Sequence, residues 1–95
     1  MENIAMNGLE WSQTANISYR SMNRSDQEIL DQILNSQKEP KDLILNSRHL
    51  NDNLYIFPVP QSFFRLMLLE DGSRIRLLDI LDKRVVDAFW GRNAS

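Results

Sequence analysis

No cysteine occurs anywhere in the chain. That excludes a disulfide framework and any thiolate zinc site, and it suits a reducing compartment. No run of about 18 apolar residues is present, so no membrane-spanning helix is expected. The start, "MENIAMNGLEW", has neither a basic opening nor an apolar core, which excludes a secretory signal of the usual kind. The three Asn-x-Ser triplets, at Asn16, Asn23 and Asn93, therefore carry no weight as glycosylation sites. With a single histidine, His49, a metal cluster has no obvious second nitrogen ligand. There is no Gly-rich phosphate loop, no G-x-S-x-G elbow and no Ser/His/Asp order. Basic charge is short as well. Eleven Lys and Arg against thirteen Asp and Glu give a net charge of -2, where a sequence-independent nucleic-acid binder shows a basic excess.

What is present fits one small folded domain. The 95 residues are 42% hydrophobic and 25% charged, ordinary for a soluble core of this size. The expected division is a single domain over 1–90 and a flexible tail over 91–95. "GLEWS" reads as a short strand with Leu9 and Trp11 on one face, and Ser12 as the N-cap of a first helix carrying Ala15, Tyr19 and Met22. "SDQE" places Ser25 and Glu28 at capping-box spacing, predicting a second helix from Ser25 to Gln37 with Ile29, Leu30, Ile33 and Leu34 as its apolar face. Pro40 limits its extension. "KDLILNSRHLNDN" reads as a connection that contains a possible helical turn at Leu43-Ile44-Leu45 and a turn at Asn51-Asp52-Asn53.

From Leu54 the composition turns to strand. "LYIFPVP" breaks at or near Pro58 and Pro60, which cannot donate to a ladder. "FFRLMLLE" alternates Phe64, Leu66 and Leu68 against Phe63, Arg65, Met67 and Leu69. Asp71-Gly72 offers the positive φ angles of a tight hairpin. "RIRLLDI" returns with Ile75, Leu77 and Asp79 on one face and Arg74, Arg76, Leu78 and Ile80 on the other. Asp82 is positioned to cap a terminal helix in which Val85, Val86 and Phe89 pack back. The order β-α-α-β-β-β makes an α+β domain, a helical hairpin packed on a small antiparallel sheet.

Several residues admit two readings. Arg65 either contacts an anionic partner or lies over Met67 and Leu69 with its head in water. Arg74 and Arg76 solvate a sheet face or meet a partner. Lys83 and Arg84 form a site or a surface pair with Asp82, which contributes only about 0–1 kcal/mol. Asp79 is expected to pair with an arginine, and His49 to be a loop histidine. Phe89 and Trp90 are either a core plug or a contact platform. Across residues 61–95 six basic side chains face five acidic ones, so any anion site must be a local patch.

The order of elements, with "LEWSQTA", "LYIFPV", "FFR", "EDG", "IRLLDI" and "KR" in sequence, resembles the RelE/ParE toxin superfamily of type II toxin–antitoxin modules. The resemblance implies a cytoplasmic bacterial protein with a cognate antitoxin as partner. The target it implies is either ribosome-bound mRNA or a protein such as DNA gyrase, with no cofactor, metal or membrane. In the ribonuclease branch, cations hold the scissile phosphate while the 2′-hydroxyl attacks, and protons move on and off the sugar oxygens. Arg65, Arg84 and the adjacent Lys83 match the catalytic cations by position. Arg65, Arg74, Arg76, Phe89 and Trp90 would line a partner groove. The pattern departs from the ribonucleases in two places. Phe89 or Trp90 stands where the family has a late tyrosine, and "LYIFPVP" carries no base. The resemblance therefore implies a degraded catalytic set or a toxin fold turned to protein interaction.

Overall fold

The computed structural model describes residues 9–84. The elements are β1 (Leu9–Trp11), α1 (Gln13–Ser21), α2 (Arg24–Ser36), α3 (Lys41–Leu45), β2 (Arg48–Asn51), β3 (Leu54–Pro58), β4 (Phe64–Asp71) and β5 (Arg74–Asp82). They form one five-stranded sheet in the order β1-β5-β4-β3-β2. The three helices pack over one face, so the class is α+β. β2 to β5 are antiparallel neighbours, whereas β1 joins β5 in parallel, Leu9 opposite Ile75 and Trp11 opposite Leu77. The sheet is therefore mixed at one edge.

Ser12 begins α1 as the sequence suggests. Its Oγ accepts from the Ala15 amide at 2.9 Å and donates to the Leu78 carbonyl at 2.6 Å, pinning the helix start to β5. The cap of α2 differs from expectation. Asn23, not Ser25, is the N-cap, its Oδ1 accepting from the Asp26 amide at 2.9 Å. Only Met22 and Asn23 separate α1 from α2. In so short a connection the second helix must start at once, and Ser25 becomes its second residue. Glu28, freed from a capping box, lies 3.8 Å from Arg24 in an exposed i,i+4 pair. The helical hairpin is tied by Gln27 Nε2 donating to the Tyr19 carbonyl at 2.8 Å, and by the Tyr19 hydroxyl donating to Asp31 at 2.9 Å. Tyr19 also meets Trp11 edge-on, their ring centroids 5.4 Å apart.

The core joins Ala15, Leu30, Leu34 and Leu43 from the helices to Phe57, Leu66, Leu68, Ile75, Leu77 and Ile80 from the sheet. Leu66 and Leu68 are fully buried while Arg65, Met67 and Leu69 are half-buried on the opposite face, as period-2 alternation requires. In β5 the alternation is interrupted. Leu68 pairs with Leu77 but Met67 with Asp79, so Leu78 is an extra residue. This bulge resets the parity and brings Ile80 into the core with Ile75 and Leu77, not to the face of Arg74 and Arg76. Asp79 does not find an arginine among the described residues. It accepts instead from Ser18 Oγ and from the Ile80 amide, both at 2.7 Å.

Two turns complete the sheet. Asp71 pairs with Arg74, so Gly72-Ser73 is the central dipeptide of the β4–β5 hairpin, one residue later than expected. Gly72 alone takes a positive φ, 64°, the pattern of a II′ turn. Asn51 pairs with Leu54 around Asp52-Asn53, Asp52 having φ 40°. That hairpin creates β2, a strand the sequence reading leaves as connection. The helical turn at Leu43-Ile44-Leu45 is realised in α3.

Candidate functional site

The helices cover one face of the sheet and the arginines populate the other. On that open face β3 presents Leu54, Ile56 and Pro58, β4 presents Arg65, Met67 and Leu69, and β5 presents Arg74 and Arg76. The register places Arg65 opposite Pro58 on one side and Leu81 on the other, near the start of β4. Arg76 pairs with Leu69, four residues further along, a separation of about 13 Å at the rise of a strand. The predicted arginines thus divide between two ends of the sheet.

At the hairpin end, Arg74 and Arg76 are both engaged by Glu10 of β1. Arg74 Nη1 lies 3.1 Å and Arg76 Nε 3.7 Å from its carboxylate oxygens. At the other end, Arg84 is held by Asp82: Nη2 meets Oδ2 at 2.7 Å, Nε meets Oδ1 at 3.1 Å, and the Arg84 amide donates to Oδ1 at 2.8 Å. The guanidinium also sits over the Phe63 ring, 4.5 Å from its centroid. Those Asp82 hydrogen bonds push the Arg84 pKa above its ordinary value. Lys83 is exposed, and its backbone amide donates to the Phe63 carbonyl. Arg65 and Arg84 therefore lie at the same end of the β4–β5 ladder, as their sequence positions suggest. Phe89 and Trp90 lie outside the described residues, as do Val85 and Val86.

Arg65 is different from these neighbours. Among the described residues it makes no ion pair or hydrogen bond. With Arg48 of β2, Ile56 and Pro58 it lines a cleft of about 130 Å³. Arg48 pairs with Ile56 across the β2–β3 hairpin, which brings it to the open face. Arg48 is not evident from the sequence because "RHLN" has a single apolar residue, Leu50, and reads as loop. The signal was available in the turn: Asn51-Asp52-Asn53 followed by "LYIF" implies that the preceding residues fold back as a strand.

The phenol and the imidazole lie elsewhere. Tyr55 pairs with the buried Leu68, so its ring is on the helix side of the sheet, away from Arg65. Its hydroxyl approaches Glu70 Oε1 at 3.4 Å. Burial, and then the Glu70 charge, raise its pKa, which keeps it a neutral phenol. His49 pairs with Tyr55, packs against its ring at 4.9 Å, and has Nε2 2.7 Å from the Asp52 carbonyl. A larger cleft of about 480 Å³ opens between the α1–α2 turn and the ends of β4 and β5. Ile17, Met22, Phe64 and Ile80 line it, with Asp26, Asp82 and Arg84. Two carboxylates against one arginine suit it poorly to a phosphate. Among the described residues no three His, Cys, Asp or Glu side chains are grouped to hold a metal, and no helix is long and apolar enough to cross a membrane.

By sequence, neither a family model nor a curated protein matches the chain. Among solved structures it is similar to the isolated RelE toxin of E. coli. The TM-score is 0.63 at 16% sequence identity, over 90% of this chain and 96% of that one. The helical hairpin and the five-stranded sheet are thus those of a RelE-like fold.

Proposed function

We propose that this chain is a toxin-like component of a type II toxin–antitoxin module, a cytoplasmic protein that works by binding its target and antitoxin and not by efficient cleavage of RNA. The observation that carries this reading is the composition of the open face. Arg65 stands there, with Arg84 at the same end of the sheet, but Tyr55 and His49 are on the helix side. In-line attack by a 2′-hydroxyl needs a fixed cation for the developing charge and a group that takes and returns a proton. The first requirement has candidates in Arg65, Arg84 and Lys83. The second has none near Arg65 on that face, where the Glu10 carboxylate stands at the far end between Arg74 and Arg76. A protein target such as DNA gyrase, or translation components bound without cutting, fits such a surface better than mRNA hydrolysis.

The second reading is a non-catalytic interaction domain that keeps the toxin fold. The clasp of Arg84 by Asp82 favours it, because a cation already neutralised by a carboxylate has less charge to offer a phosphate. Induced expression of the chain in bacteria separates the two. The toxin reading expects growth arrest, relieved by the double change Arg65→Ala, Arg84→Ala, with little or no mRNA cleavage. Arrest with intact mRNA and broken DNA points to a gyrase-type target. Vigorous ribosome-dependent cutting by purified protein contradicts the degraded catalytic set. Normal growth at a verified high level of soluble protein leaves the interaction domain.

A further inference from the structure

We propose that Arg48 and Arg65 form a two-arginine clamp for one carboxylate of an acidic–apolar segment of a partner protein, seated on the open face across β2, β3 and β4. This deepens the reading above by stating what the partner presents.

The clamp follows from register. Arg48 is opposite Ile56, Pro58 is opposite Arg65, and Ile56 and Pro58 are two residues apart in β3. Two strand spacings and a two-residue offset put the arginine Cα atoms about 12 Å apart. Both side chains reach the cleft between them, whose floor is Ile56 and Pro58. Neither guanidinium has a hydrogen-bonded or ionic partner among the described residues, whereas Arg24, Arg74, Arg76 and Arg84 all lie beside carboxylates. Arg65 is half-buried over apolar side chains and Arg48 is exposed beside it, and two guanidinium groups without partners among the described residues can donate together to one carboxylate.

Three features favour a peptide over a nucleic acid. The cationic patch is short: Glu10 and Asp82 neutralise the other arginines at either end of the sheet, and beyond exposed Lys83 the described residues of this face extend no track for successive phosphates. The surface beyond the cleft is apolar, with Met67 and Leu69 half-buried beside Ile56. That suits aliphatic side chains flanking the acid. The aromatic rings of β3, Tyr55 and Phe57, point away from this face, so they offer no stacking platform for bases.

The test is an NMR titration of the whole chain with the acetylated, amidated pentapeptide LEIEL, following the Arg Nε–Hε signals. Saturable shifts of Arg48 and Arg65 are expected, with affinity falling about tenfold for Arg48→Gln, for Arg65→Gln, or for the peptide LQIQL. Arg24→Gln, on α2 and away from the open face, is expected to bind as the parent does. Backbone spectra of each variant establish that it is folded. Peptide affinity indifferent to both arginines would overturn the clamp, as would tighter binding of a hexauridylate RNA at equal salt. Growth arrest with no peptide binding rejects the clamp and leaves the toxin reading standing. Arginine-dependent peptide binding without growth arrest supports the clamp and rejects the toxin reading.

Discussion

Ser12→Ala is expected to cost far more than a surface serine normally does. Its hydroxyl performs two tasks at the junction of α1 and β5. It accepts from the Ala15 amide at the first turn and donates to the Leu78 carbonyl within the β5 bulge. Loss of an N-cap side chain costs about 1 kcal/mol, and loss of the second bond, which leaves a part-buried carbonyl without its donor, about 1 kcal/mol more. The expected total is about 2 kcal/mol, a large share of the roughly 5–15 kcal/mol available to a domain. In a chain of this length it lowers the melting temperature by about 8–16 °C. Urea titration followed by circular dichroism measures it directly. Ser25→Ala is the control: Ser25 lies inside α2 and caps nothing, so its change stays within about 0.5 kcal/mol. If Ser12→Ala shifted the midpoint no more than Ser25→Ala, at equal m-values, the double role of Ser12 would be wrong.

Asn23→Ala is expected to destabilise by about 1 kcal/mol, since Asn23 is the N-cap of α2; a midpoint unchanged in the same urea titration would contradict it. Leu66→Ala, at a fully buried site in the centre of the sheet, should cost about 2–5 kcal/mol, and a loss under about 1 kcal/mol would place Leu66 outside the core. Glu10→Gln removes the partner of Arg74 and Arg76, which are largely solvated, so calorimetry should register less than about 1 kcal/mol. The Tyr19 pKa is pushed up to about 12 by burial and by its bond to Asp31. The folded state thus holds that proton more tightly than the unfolded chain does. The stabilisation is present in full below pH 10 and is lost between about 10 and 12. Tyr19→Phe should flatten the stability profile in that window, and an unchanged slope would refute the assignment.

The parts of the fold that were legible in the sequence are those with a local physical signature. The Ser12 cap, the apolar stripe of α2, the alternation in β4 and the turn residues at 51–53 and 71–72 each express a short-range preference. The parts that were not legible depend on partners distant in sequence. β2 has no alternation because all four of its residues are exposed; only pairing with β3 makes it a strand. The Leu78 bulge changes which side chains are core, and it arises where Ser12 docks against β5. Asn23 and Ser25 are both acceptable caps, and the shortness of the helix–helix connection chooses between them. The site divides in the same way. Arg65 and Arg84 share an end of the sheet because the hairpin between them is readable, whereas Arg48 joins Arg65 only through β2.

The parallel pairing of β1 with β5 bears on how this chain is made. The two strands, and the Ser12–Leu78 bond beside them, join positions 66 residues apart. Every other strand pairing of the sheet is between sequence neighbours. During synthesis β1 emerges first and has nothing to pair with until β5 has followed it out of the ribosome. The β3–β4–β5 meander can close earlier, as soon as its two turns are available. Until β1 docks, β5 is an open edge that carries the apolar pair Leu77-Leu78, and open edges of this kind pair with other chains. The last closure of the domain is thus the one that shields it, and substitutions in Leu9–Trp11 should show themselves as lower soluble yield before they show themselves as lower equilibrium stability.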